Sequence, residues 1–282
     1  MIQAETPFGP GLAFASLASS SVFGNAYLVR GAGSAILIDC GLSRRALEQG
    51  LLELGVPPAS LGAIFITHEH TDHTRSLCLK VSFAQKHGIP VFAGREVWRS
   101  FGYAYGLSPA LREEVRDGDE VAVGELRVAA LEKPHDAVEP LCYRVSLVGQ
   151  EWHSVAVVTD LGHLPWTLAD SLRGASALVL ESNHDVRMEM TSGRPRYLIE
   201  RVLGNLGHLS NEQAADAVVR LATGATTQVT LAHLSIDCNR PELALDAVAG
   251  ALRRQGLAPS VEALPAGGTS RLYHTGAAAV SA

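Results

Sequence analysis

The sequence predicts an α/β sandwich, and three observations predict it. Apolar, β-rich runs alternate with helical patterns along the chain. Several of those runs are nearly continuous rather than alternating, as strands covered on both faces are. Most of the helical patterns open on a recognisable N-terminal signal. Strands are expected at 26–29, Ala35–Ile38, 63–67, Val91–Ala93, 126–131, 142–147, 155–159, 177–180 and 229–232. Helices are expected at 44–54 behind Ser43, at 164–172, at 211–222 behind Ser210 and at 242–254 behind Pro241. In the first of these, Leu47, Leu51, Leu52 and Leu54 fall close to one helical stripe, which assigns them to the core. Two layers of buried strands with helices outside cover both faces of each sheet, hence the sandwich. No G-x-G-x-x-G follows a strand and no G-x-x-x-x-G-K-S/T occurs, which excludes dinucleotide-binding and phosphate-loop folds.

With 282 residues, 47% hydrophobic and 18% charged, the chain is long enough for a sizeable core, and disordered, collagen-like and coiled-coil classes are excluded. No sequence repeat, low-complexity tract or long linker divides it, so a single domain over residues 1–282 is expected. No apolar stretch reaches the roughly 18 to 20 residues of a membrane span, and the mildly apolar run 11–17 lacks a basic leader. The expected location is the cytoplasm, with no membrane partner. Cys40, Cys78, Cys142 and Cys238 are widely spaced and read as core residues rather than a disulfide scaffold or zinc ribbon. A net charge of -6 gives no long-range attraction to a phosphate backbone, so a nucleic-acid partner requires a local basic patch or bound metal.

The decisive segment is Thr67-His68-Glu69-His70-Thr71-Asp72-His73, after an apolar strand and before a helical pattern expected from Thr74. Only 11 of the 282 residues are histidine, so three within six positions, interleaved with an aspartate, stand apart from chance. His68 and His70, two apart in an extended turn, point the same way and can bind one metal; Asp72 and His73 can face a second. A purely structural reading is a polar helix N-terminus with Asp72 favourable to the dipole. Imidazole and carboxylate donors suit Zn²⁺, Mn²⁺ or Fe²⁺ and do not choose among them. Further ligands are expected at His135, Asp160 and His233, each just past the C-terminal end of an expected strand, where loops converge. Singly, each could be a turn or cap residue.

Together with Asp39 in Leu37-Ile38-Asp39-Cys40-Gly41, these segments resemble the metallo-β-lactamase superfamily, whose motifs appear here in order. The resemblance implies a four-layered αβ/βα sandwich, the metallo-β-lactamase fold, and two divalent ions. His68, His70 and His135 would hold one ion, Asp72, His73 and His233 the other, and Asp160 would bridge them. Asp39 would orient ligands by hydrogen bonds. Zinc-rich β-lactamases carry a cysteine where this chain has Asp160, so antibiotic hydrolysis is not expected. Glyoxalase II-type enzymes add a helical domain after the last histidine, whereas only 49 residues follow His233. The same economy of length excludes nucleases with a large inserted cap. What remains is similar to the YycJ/WalJ group, through Ser16-Leu17-Ala18-Ser19-Ser20-Ser21 before Gly24-Asn25, Glu181-Ser182-Asn183-His184-Asp185, and Gly207-His208-Leu209-Ser210-Asn211. That resemblance implies a 5′→3′ exonuclease on double-stranded DNA. One departure is the bulky pair Val22-Phe23, where the group has small residues.

On such two-metal chemistry, a shared water is activated for in-line attack on phosphorus, with Asp72 and Asp160 as catalytic residues that orient it. The leaving oxygen needs a proton, for which His184 and His208 are candidates. The plain alternatives are a polar turn at His184 and a helix-end hydrogen bond at His208. Arg187, Arg194 and Arg196 are expected to contact DNA phosphates, joined in substrate binding by Asn183, Ser20 and Ser21. An ordinary solvated helix surface is the alternative for the arginines. Hydrolysis of a small cyclic phosphodiester, lactone or thioester in the same site, or a metal-binding scaffold without turnover, are the alternative functions.

Overall fold

A computed structural model describes residues 11–31, 33–101 and 106–275. The N-terminal half forms β1 (Ala13–Ser20), β2 (Gly24–Arg30), β3 (Ala35–Ile38), β4 (Leu61–Phe65), β5 (Val91–Ala93) and β6 (Arg112–Glu114). The C-terminal half forms β7 (Glu120–Val123), β8 (Leu126–Glu132), β9 (Leu141–Leu147), β10 (Gln150–Val158), β11 (Ala177–Glu181), β12 (Gln228–Ala232) and β13 (Ser260–Ala263), and β14 (Tyr273–His274) returns to the first sheet. The sheets run β14-β1-β2-β3-β4-β5-β6 and β13-β12-β11-β10-β9-β8-β7. Each begins as an antiparallel meander and continues parallel, the change falling at β3 in the first and β10 in the second. The two halves thus repeat one topology although the sequence shows no repeat.

Helices cover the outer faces. They are α1 (Arg44–Glu53), α2 (Thr71–Thr74), α3 (Phe83–His87), α4 (Arg95–Phe101), α5 (Trp166–Leu172), α6 (Val186–Met190), α7 (Arg196–Leu203), α8 (Asn211–Leu221) and α9 (Pro241–Arg254). Alternate residues of single strands enter different layers, as the period of two dictates. Ile36 and Ile38 of β3 meet Val155 and Val157 of β10 in the core between the sheets. Ala35 and Leu37 pack outward against Leu47 and Leu51 of α1. Ala156 and Val158 pack outward with Leu172 of α5, Val218 of α8 and Val248 of α9. The result is helices, sheet, sheet, helices, the four-layered αβ/βα sandwich. The expected single domain includes positions 1–10 and 276–282, which lie outside the described residues. Among the described residues no helix is long and apolar enough to cross a membrane.

The expected strands and helices form, β6, β7, β13, β14 and α4 are added to them, and the differences nearest the site are of three kinds. β1 is not expected from the sequence: its Ala- and Ser-rich residues carry little strand propensity, and pairing with β2 overrides this. The helix expected from Thr74 is instead the single turn α2, followed by turns as far as Ser82, which caps α3. β10 begins at Gln150 rather than at 155, its first three residues being exposed, and α6 and α7 fill a stretch with no expected element.

Candidate metal centre

The site lies where strands of both sheets end. Asp39 follows β3, Asp160 lies just beyond β10 and His233 follows β12, each with left-handed backbone at φ of 62°, 54° and 54°. Left-handed non-glycine residues are uncommon and strained, and they concentrate at functional sites. Two close backbone approaches hold α2 against these ends. A Cβ on Gly41 would lie 1.6 Å from the Asp72 carbonyl oxygen, and one on Gly24, at φ 97°, would lie 2.3 Å from the Gly41 oxygen. Glycine at both positions lets the β1–β2 hairpin, the β3 end and the Asp72 turn stack without side chains between them.

The donor atoms converge in groups that lie side by side. Ligand atoms of His68, His70 and His135 lie within 4.8 Å of one another, and so do those of Asp72, His73 and His233. His68, His73 and Asp160 form a third such group that joins the two. His68 Nε2 is 3.0 Å from His70 Nδ1, and His73 Nε2 is 3.3 Å from Asp160 Oδ2 and 3.5 Å from Asp72 Oδ2. Buried His135 Nε2, His233 Nε2 and Asp160 Oδ2 have no hydrogen-bond partner. Unpartnered buried acceptors are costly unless a cation satisfies them, so the residues fit divalent metal. An all-nitrogen and oxygen donor set without thiolate suits Zn²⁺, Mn²⁺ or Fe²⁺.

Hydrogen bonds behind the donors set their direction. Asp39, fully buried, accepts from the Thr67 amide at 2.8 Å and hydroxyl at 2.9 Å, and its Oδ2 lies 2.7 Å from His73 Nδ1. With its proton given to Asp39, the Thr67 hydroxyl accepts from His68 Nδ1 at 2.9 Å, which leaves the lone pair of His68 on Nε2, beside His70 Nδ1. Burial pulls His73 down, yet the carboxylates of Asp160, Asp39 and Asp72 raise it well above the usual histidine range. His233 is likewise raised to about 10, the pull of burial being outweighed by Asp160, Asp72 and Glu181. His135 falls to about 4 through burial. Without metal, protons on His73 and His233 stand where cationic charge is wanted.

Glu181 at the end of β11 is a site residue that motif reading misses. It lies inside a signature segment but carries no expected role, because nothing in its spacing marks it as buried beside the donors. Its Oε1 accepts from His233 Nδ1 and His208 Nδ1, both at 2.9 Å, and from the Asp160 amide at 3.2 Å. Its Oε2 accepts from the Leu161 and Leu209 amides at 3.0 and 2.9 Å. Burial disfavours its charge, but His208 and His233 hold it well below the usual carboxylate range. Its carboxylate falls in a further group of potential donors with Asp160, His208 and His233, but five N–H groups already occupy its two oxygens, so Glu181 anchors its neighbours. Lys133, also buried, donates Nζ to the Thr159 carbonyl next to Asp160. Asn25, likewise without an expected role, sets its Nδ2 3.1 Å from His73 Nε2 and 3.3 Å from Asp72 Oδ2.

The mouth of the site is formed by half-buried His70, Asp72 and His208, with the other donors beneath. The remaining expected residues are placed less simply. His184 is fully buried, both ring nitrogens lack partners, and it belongs to none of the donor groups. His184 thus has no solvent access and lies in a β-bridge to Ser210, whereas His208 is half-buried at the mouth. Asn183 Nδ2 donates to the His233 carbonyl at 2.8 Å, and Ser20 Oγ accepts from the Phe23 amide at 3.0 Å, while Ser21 is exposed. Arg194 is bound to Glu189 at 3.1 Å and Asp237 at 2.9 Å, and Arg196 pairs with Glu200 at 2.7 Å. Arg187 is exposed on α6. Two of the three arginines expected to face DNA are therefore paired within the chain, Arg194 half-buried and Arg196 on the open surface.

Known proteins share both the sequence and the architecture. The chain is 34% identical over 247 residues to exodeoxyribonuclease YycJ of Bacillus anthracis, covering 87% of this chain and 91% of that protein. It is 31% identical over 237 residues to exodeoxyribonuclease WalJ of Streptococcus pneumoniae, covering 83% and 86%. The metallo-β-lactamase fold protein YhfI of Bacillus subtilis matches the fold with a TM-score of 0.68 at 16% identity, covering 93% of this chain and 99% of that one. The model of the Beta-lactamase superfamily domain matches residues 34–233. With that match across the strands that carry the donors, the chain belongs to the beta-lactamase superfamily and is a metal-dependent hydrolase.

Proposed function

We propose that the chain is a dinuclear metal-dependent phosphodiesterase, a 5′→3′ exonuclease on double-stranded DNA that works in the cytoplasm. The observation that carries this reading is the pair of donor triads joined by Asp160, with unpartnered buried atoms facing inward. The exodeoxyribonuclease names of its relatives support the choice of DNA. His68, His70 and His135 would hold one ion, Asp72, His73 and His233 the other, and Asp160 both. Such a pair supplies an activated water at neutral pH and neutralises charge on the phosphoryl oxygens.

The chain's own residues do the rest. Asp72 and Asp160 orient the attacking water from the mouth and the floor of the site. Asp39 and Glu181 hold the Nδ1 protons of His73 and His233, so that Nε2 of each presents its lone pair. His208, half-buried with Nδ1 on Glu181, keeps Nε2 for the departing 3′-oxygen and gives it a proton. Exposed Arg187 remains available to a phosphate, whereas Arg194 and Arg196 are engaged within the chain.

The test is digestion of a linear duplex labelled at its 5′ or 3′ ends by Mn²⁺- or Zn²⁺-loaded protein, with Asp160→Asn as control. Loss proceeding from 5′ ends, absent in the variant, is the expected result. Intact DNA together with hydrolysis of a chromogenic phosphodiester or lactone would refute the substrate and retain the metal site.

A further inference from the structure

The turn between β1 and β2 carries Val22 and Phe23, 50% and 52% exposed, and leads directly into Gly24 and Asn25 of β2. An isolated exposed apolar side chain is ordinary. This pair differs in where it is held. Phe23 is two residues from Asn25, whose amide lies 3.1 Å from His73 Nε2. Its own amide is bound to Ser20 Oγ at 3.0 Å, and the glycine after it is locked against Gly41. The ring rests on main chain, since a Cβ on Gly267 would meet its Cγ and Cδ2 at 3.1 Å. The 266–268 loop is in turn tied to β1 by the Ser19 amide on the Ala266 carbonyl at 3.1 Å. The Ser19 hydroxyl accepts from the His233 amide at 2.8 Å, so ring and metal donors share one rigid frame.

The chemistry of this rim selects its ligand. No charged residue occurs from Ser16 to Val29 or from Leu264 to Ser270, so these two segments offer a phosphate no ion pair. A backed aromatic ring beside a site that cuts phosphodiesters suits the face of a nucleobase, which stacks irrespective of its identity. We infer that Phe23 is a stacking platform for the nucleobase flanking the scissile phosphate, with Val22 beside it. This rests on the DNA reading above. It makes Phe23 a positioning residue: it would hold the end of the strand in register over the metals and act on KM rather than on the chemical step.

The experiment crosses a protein change with a substrate change, using metal-loaded full-length protein and duplexes whose terminal or penultimate nucleoside is replaced by an abasic tetrahydrofuran. Base–aromatic stacking corresponds to about a 5- to 150-fold change in affinity. The expected result is that wild type loses that factor in KM on the abasic end. Phe23→Ala should lose it on the intact end and nothing further on the abasic one, and Phe23→Trp should behave as wild type. Unchanged KM for Phe23→Ala on intact DNA, or two penalties that multiply, would overturn the platform. So would a change of oligomeric state in Phe23→Ala with KM unaltered, which would assign the patch to a second copy of the chain. A wild-type protein that leaves every duplex intact but hydrolyses a chromogenic phosphodiester fails at the DNA reading, a separate outcome.

Discussion

Replacing Glu181 by glutamine changes one atom of the carboxylate and tests whether the ligand directions are set from behind. Five N–H groups converge on two oxygens, three on Oε1 and two on Oε2. If the new NH₂ group faces the Leu161 and Leu209 amides, two buried donors are stranded, at about 1–3 kcal/mol each. If it takes the Oε1 position, only the Asp160 amide is stranded, because both imidazoles can accept at Nδ1 instead. The second arrangement costs less, about 1–3 kcal/mol of stability. It also moves the proton of His233 onto Nε2, the atom that would bind metal. Loss of such an orienting partner weakens metal affinity or activity about 10- to 100-fold. The assay is competition for metal against a chromogenic chelator, with circular dichroism to show that the sandwich remains folded. Metal affinity and turnover both within about twofold of wild type would refute the reasoning and return Glu181 to an ordinary buried carboxylate.

Three further outcomes follow from the electrostatics. Protons on His73 and His233 must leave when metal enters, so loading at pH 7 should release about two protons per chain, and affinity should strengthen as pH rises toward 10. His233 is raised in the fold, so its contribution to the metal-free protein is complete below the unfolded value of about 6.5 and is lost as pH rises through about 10. Calorimetry in buffers of different ionisation heat reads the proton count, and no dependence on buffer would reject the scheme. Arg194→Ala leaves Glu189 buried without its cation, an expected loss of about 3–5 kcal/mol, whereas Arg196→Ala at a 91% exposed side chain should leave the melting temperature nearly unchanged. Wild-type melting of Arg194→Ala with weakened DNA binding would restore that arginine to the substrate groove.

The donors are legible in the sequence because metal chemistry restricts both residue type and spacing. His68, His70, Asp72 and His73 occupy one turn, and His135, Asp160 and His233 each lie just past the end of a strand that reads clearly as an apolar run. Glu181 and Lys133 are not legible, since each matters through burial and partners far away in sequence, such as His208 and Thr159. The ion pairs of Arg194 and Arg196 are not legible for the same reason. A basic run looks available until Glu189, Asp237 and Glu200 are brought against it. β1 escapes notice because alanine and serine pair as strands only when a neighbour such as β2 supplies the ladder.

The shared topology of the two halves explains why the site forms where it does. Asp39 and Asp160 each follow a strand paired antiparallel on one side and parallel on the other, β3 in the first sheet and β10 in the second. Both leave their strands through left-handed backbone, and both carboxylates meet His73, Asp39 at Nδ1 and Asp160 at Nε2. Such strain costs on the order of 1–3 kcal/mol at a non-glycine residue, and glycine would relieve it. Glycine would also remove the oxygens that hold His73 on one side and face the donor triads on the other. The two equivalent kinks have therefore diverged in what their carboxylates do. Asp39 is fully occupied behind the ligands, while Asp160 keeps Oδ2 without a hydrogen-bond partner, as a residue facing metal requires.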